Sequence, residues 1–123
     1  MLQKVRHIAL VLGVLSAGLL SSCGGVNYSS NPFVRENGTV YMGEGSYSAA
    51  GYRFDANGKG KFARSYYGGS SNSEEFTYTL KQKENNNDAY DVKIKFSSSE
   101  SNGVFFYMSN KRCLSISGSF YFA

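Results

Sequence analysis

The chain has 123 residues, with 13 Lys or Arg against 9 Asp or Glu and a net charge of +4. Its single histidine, His7, lies near the N-terminus, which leaves the rest of the chain without the base of a Ser-His-Asp or Cys-His site and without a His ligand for zinc. The basic residues do not cluster, since Lys93 and Lys95 alternate with acidic Asp91. Composition therefore argues against a nucleic-acid-binding face and against His-dependent catalysis.

The first 22 residues follow the order of a signal peptide. Lys4 and Arg6 give a cationic start, and residues 8–20 form an apolar, small-residue run that is too short for a stable membrane span. The run ends in Leu20-Ser21-Ser22-Cys23, which resembles the lipobox of bacterial prolipoproteins. The sequence therefore predicts that residues 1–22 are removed.

The lipobox resemblance implies a lipid anchor on Cys23. Lipoproteins of this kind carry a thioether-linked diacylglycerol on the cysteine and an acyl group, such as palmitate, on its amine after cleavage. Two or three chains hold a protein to a bilayer durably. Gly24 stands where inner-membrane lipoproteins of enterobacteria carry Asp, so the resemblance favours the outer membrane. The processed chain keeps 11 basic and 9 acidic residues, a charge of +2.

The processed chain divides into two parts. Residues 23–38 lack any period and are rich in turn formers, which predicts a lipidated flexible tether. Residues 39–123 suffice for one small β domain. Cys113 has only Cys23 as a partner, whose sulfur the lipid would occupy, so we expect no disulfide and an inert, half-exposed Cys113 thiol.

From residue 39 onward apolar side chains recur with period two. Alternation is clearest over residues 76–81 and 90–96, and residues 114–122 continue it with Phe120 and Phe122 on the face of Leu114. Asn57-Gly58 indicates a hairpin whose glycine supplies positive φ. The pattern predicts an all-β fold of about seven antiparallel strands, either a small up-and-down barrel or a sandwich.

Two segments carry a family resemblance. Residues 52–62, with Asn57-Gly58 at their centre, and the step Phe76-Thr77-Tyr78 are similar to the lipocalin-like domains of small lipoproteins of the Bacteroidetes type. In those domains an early hairpin has a similar Asn/Asp-Gly-x-Gly turn. The resemblance implies a lipocalin-like barrel behind the lipid anchor.

Aromatic side chains are the one excess that points to a binding function, with 10 Tyr and 9 Phe. The inward rings are predicted to be Tyr52, Phe54, Phe62, Tyr66, Phe76, Tyr78 and Tyr90. They either line a pocket for an apolar or sugar ligand or fill a barrel too small to be hollow. The adjacent pairs Phe105-Phe106 and Phe120-Tyr121 must each turn one ring outward, which would expose a protein-binding patch.

The carboxylates and the hairpin turn give no catalytic or metal site. Asp55-Ala56-Asn57-Gly58 begins like a calcium loop, but Lys59 stands where a further oxygen ligand belongs. Glu74 and Glu75 are adjacent on a strand and point to opposite faces, so they cannot flank one glycosidic bond. We therefore predict no enzyme activity, no cofactor and no metal.

Three functions fit the sequence. The favoured one is a non-catalytic binding or adaptor lipoprotein of the outer membrane that recognises a protein or a small apolar or sugar ligand. The alternative is an envelope shield or a lysozyme inhibitor, since residues 48–52 are faintly similar to the Ser-Gly-x-x-Tyr motif of small inhibitor barrels. The third is an eight-stranded membrane barrel. Lys93 and Lys95 argue against it, because they would place charges on the face that contacts lipid.

Overall fold

A computed structural model describes residues 31–123 together with Val11 and Leu15. The predicted lipidation site, Cys23, lies outside these residues. Within the described residues eight strands follow one another: β1 (Thr39–Glu44), β2 (Ser48–Phe54), β3 (Lys59–Tyr66), β4 (Ser71–Lys83), β5 (Asn86–Lys95), β6 (Glu100–Met108), β7 (Lys111–Ile116) and β8 (Ser119–Phe122).

The strands form a closed antiparallel barrel in which each pairs with its neighbours along the chain. Met42 of β1 lies opposite Phe122 of β8 and closes the sheet. Tight turns join the strands, and two of them, 109–110 and 117–118, have positive φ at both residues, as two-residue hairpins require. Gly58 has a φ of 83°, which confirms the predicted hairpin between β2 and β3.

The predicted all-β antiparallel fold is confirmed as a barrel, the first of the two predicted forms, and in the described residues it has eight strands where about seven are expected. The additional boundary is the turn Ser117-Gly118, which divides residues 114–122 into β7 and β8. Because this turn has two residues, Leu114 pairs with Tyr121 and not with Phe120. Tyr121 is consequently buried, whereas Phe120 and Phe122 face outward. The prediction that these two phenylalanines share the face of Leu114 is wrong.

Aromatic rings fill the barrel interior. Phe54 is fully buried, and its ring centroid lies 5.0 Å from that of Tyr78, 5.0 Å from that of Phe105 and 5.3 Å from that of Phe76. An eight-stranded barrel is just wide enough for its side chains to fill it. Gly60 leaves room for this packing, because a Cβ there would overlap the Phe76 ring.

The end of the barrel near residue 39 is closed by the segment that precedes β1. Phe33 is fully buried, with its ring 5.4 Å from that of Phe105 and 4.9 Å from that of Tyr107. The Tyr41 hydroxyl donates a hydrogen bond to the Phe33 carbonyl at 2.6 Å, and Arg112 Nη1 donates to the Pro32 carbonyl at 3.2 Å.

Residues 31–38 thus differ from the flexible tether that the sequence predicts for 23–38. Turn-forming residues are common here, yet Phe33 and Val34 are apolar and both are fully buried. Their burial fixes the segment against the barrel. Residues 23–30 of the predicted tether lie outside the described part of the chain.

Candidate binding surface on the outer face of the barrel

The rings predicted to face inward lie on the inner face of the strands. Tyr52, Phe54, Phe76 and Tyr78 are 0–7% exposed, and their rings pack against one another with centroids 5.0–6.4 Å apart. The remaining three are Phe62 and Tyr90, which are half-buried, and Tyr66, which is 38% exposed. Of the two alternatives for these rings, the burial of these four favours filling of the interior over a pocket.

Tyr66 and Phe62 have a different role at the barrel end near residue 66. The Arg64 guanidinium carbon lies 5.2 Å from the Phe62 ring centroid and 6.0 Å from that of Tyr66. Burial by itself lowers the pKa of Arg64. The hydrogen bond with Tyr66 and the nearby tyrosines raise this pKa by more than burial lowers it, so the net pKa shift is upward. Arg64 therefore places one positive charge beside two aromatic rings at this end of the barrel.

The outer face of the barrel is divided into a polar and an apolar half. On β4 and β5 the outward side chains are exposed and hydrophilic, and they are Thr77, Thr79, Lys81, Asp91, Lys93 and Lys95. An eight-stranded membrane barrel would instead present an apolar band around its whole outside. The charged half of this barrel has the opposite character.

On the apolar half, cross-strand pairing aligns outward apolar residues from β6 to β3. Register pairs run from Phe106 through Cys113, Phe122, Met42 and Gly51 to Ala63. We call this side the outer apolar face; its other members are Val40, Ala49, Val104 and Phe120. The sequence indicates that one ring of each aromatic pair turns outward, but only the register shows that these rings share one side with Met42.

The aromatic end of the outer apolar face is accessible. Phe120 is 50% exposed and Phe122 36% exposed, and the Phe106 and Phe120 rings lie 6.2 Å apart. Exposed aromatic side chains that lie together are typical of surfaces that bind another protein. This end therefore provides rigid, apolar contact area.

Cys113 lies within this face and is fully buried, not half-exposed as predicted. It stands in register between Phe106 and Phe122, whose larger side chains flank it. Burial raises the pKa of the Cys113 thiol. A thiol that is buried and protonated at neutral pH is a poor nucleophile, so this residue serves packing.

The other end of the outer apolar face is a groove of small residues on β1, β2 and β3. We define the helix groove by Val40, Met42, Ala49, Gly51 and Ala63. Val11 and Leu15, both α-helical, pack into it and are 2% and 0% exposed. Residues four positions apart on a helix point to the same side, so one helical face covers the groove.

Arg53 closes one end of the helix groove. Its side chain is 2% exposed, its Nη1 donates to the Leu15 carbonyl at 2.9 Å, and its Nη2 lies 2.5 Å from Asp55 Oδ1. Among the described residues its Nε finds no hydrogen-bond acceptor. A cleft of about 800 Å³ adjoins it, and Lys59, Lys61 and Lys95 outnumber the acidic side chains in its wall.

Carboxylates on this barrel are dispersed and largely solvated. Glu44, Glu74 and Glu75 are all exposed. Within the part of the chain that the structure describes, no group of three or more His, Cys, Asp or Glu could hold a metal ion. In the same residues no helix has the length and apolar character needed to cross a bilayer.

Comparison of the chain with protein-family models, with curated proteins and with solved structures finds no match.

Proposed function

We propose that the protein is a lipid-anchored, non-catalytic binding module of the outer membrane, and that it binds its partner with the outer apolar face. The observation that carries this proposal is the accessibility of Phe120 and Phe122 beside Phe106 on a barrel whose interior is already filled. Lipidation of Cys23 would hold that face close to the membrane.

A filled interior supports contact on the outside. The outer apolar face presents rings on strands that are hydrogen-bonded on both sides, so little entropy is lost when they are covered. It also lacks the charged side chains that mark the β4–β5 side. We therefore expect apolar contact with a protein partner, which high salt does not weaken.

A photoreactive phenylalanine analogue at position 120 tests the proposal, with the same analogue at position 79 as its control. Both side chains are exposed, but Thr79 lies on the polar half. In intact cells we expect cross-linked protein adducts from position 120 that persist in 1 M NaCl, and few from position 79. Cys23→Ala should abolish labelling by radioactive fatty acid and reduce the adducts.

Two results would overturn the proposal. Equal adducts from both positions would show that the outer apolar face has no preference for a partner. Turnover of a glycan, lipid or peptide that Glu74→Gln or Glu75→Gln abolishes would make the protein an enzyme.

A further inference from the structure

The helix groove is built to hold an α-helix. Ala49 and Ala63 are 0% and 2% exposed, and Gly51 is also buried. Small residues at these positions let a helix approach the sheet closely. A Cβ on Gly51 would fall 2.5 Å from Met42 Sδ and 2.7 Å from Leu15 Cδ1, so a larger residue does not fit between Met42 and the helix at this point.

The occupant of the groove belongs to the segment that the sequence predicts to be removed. Val11 and Leu15 lie within residues 1–22, whereas, in the part of the chain that the structure describes, every strand and every member of the ring-filled core comes from residue 33 or later. Processing would thus leave the barrel interior complete and uncover the groove. Met42 and Ala63 would lose the helix that covers them.

Arg53 gives the groove a direction. Helix carbonyls point toward the helix C-terminus, so a carbonyl that accepts from Arg53 sets the C-terminal side of the helix toward this residue. The cleft beside Arg53 has an excess of lysines, which complements the negative end of a helix dipole. The hydrogen bond from Arg53 and the charge of the cleft therefore both favour a helix whose C-terminal end points toward Arg53.

We propose that, in the processed protein, the helix groove binds an apolar helix of a partner protein in the place that Val11 and Leu15 occupy here. The partner helix has aliphatic side chains four residues apart and its C-terminal end toward Arg53. This inference rests on the proposed function, because it requires removal of residues 1–22, and it specifies the partner chemistry.

A peptide with the sequence of residues 8–20, with added lysines at its N-terminus for solubility, serves as the probe. Its fluorescence anisotropy measures binding to the processed protein. We expect Ala63→Leu, which fills the groove without making it polar, to weaken binding at least tenfold. Thr79→Leu, the same kind of change on the polar half, should leave binding unchanged.

Further arms separate the groove from general hydrophobic adhesion. A peptide that carries Val11→Asp and Leu15→Asp should not bind. The unprocessed Cys23→Ala precursor should bind the original peptide at least tenfold more weakly than the processed protein does, because its own helix covers the groove. Ala49→Leu replaces Ala63→Leu if the latter does not fold.

Unchanged or tighter binding to the folded groove variant would overturn the inference, as would equal binding to the precursor. Cross-linking from position 120 does not depend on this groove. If the peptide does not bind the helix groove, the proposed function is still decided separately by the cross-linking experiment.

Discussion

Phe54→Ala is expected to lower the free energy of unfolding by about 3–5 kcal/mol, the range for removing a fully buried aromatic ring. The Phe54 ring lies within 5.9 Å, centroid to centroid, of four others, which are Tyr41, Phe76, Tyr78 and Phe105. Truncation leaves a cavity that these rings cannot refill, because the strands that hold them form a closed sheet. Small domains have about 5–15 kcal/mol of stability in total, so the variant loses a large fraction of it.

Urea denaturation measures this loss, with Phe120→Ala as the control. Phe120 is 50% exposed, and its truncation should cost less than about 1 kcal/mol. A loss of under about 1 kcal/mol for Phe54→Ala would contradict the filled interior, since a ring beside an open pocket contributes little packing energy.

The second large effect is a loss of stability in alkali. Burial raises the pKa of Tyr41 and of Tyr52 well above the ordinary value of 10.0. Above pH 10 the unfolded chain releases these two protons while the folded chain keeps them, so the unfolded state gains stability as the pH rises. The stabilising contribution is complete below about pH 10 and is lost from there upward, by about 1.4 kcal/mol per pH unit for each tyrosine.

Denaturation midpoints between pH 8 and pH 11.5 reveal this dependence. Tyr41→Phe should lower stability at pH 8 by about 1 kcal/mol, because its hydroxyl donates to the Phe33 carbonyl, and should reduce the alkaline slope. Tyr47→Phe, at a side chain that is 82% exposed, is the control for loss of a tyrosine hydroxyl. An alkaline slope that Tyr41→Phe leaves unchanged would contradict the burial of this hydroxyl.

The sequence predicts the fold class well because strand patterns are local. Alternation over residues 76–81 and 90–96 and the Asn57-Gly58 turn are both visible within a few positions of the chain. The turn Ser117-Gly118 escapes this kind of analysis, because the residues on either side continue an apparent alternation through it. A turn of two residues changes which face the next strand presents, so the local pattern places Phe120 and Phe122 on the wrong side.

The candidate surface could not be predicted as a whole, since it depends on long-range register. Met42 precedes Phe122 by 80 positions and joins Phe122 and Cys113 only when β8 closes onto β1. Likewise, the burial of Phe33 depends on its contact with the Phe105 ring, 72 positions later. The local sequence shows the turn-forming residues around Phe33 but gives no sign of the Phe105 ring against which Phe33 packs.

Methyl NMR of the processed protein, titrated with a small apolar ligand such as decanol, tests most directly whether binding takes place outside the barrel. Chemical-shift changes are expected only at outward methyl groups, those of Val40, Met42 and Val104, while those of Val92, Ile94 and Leu114 inside the barrel remain unchanged. Saturable shifts at the three inner residues would show an open interior and contradict this expectation.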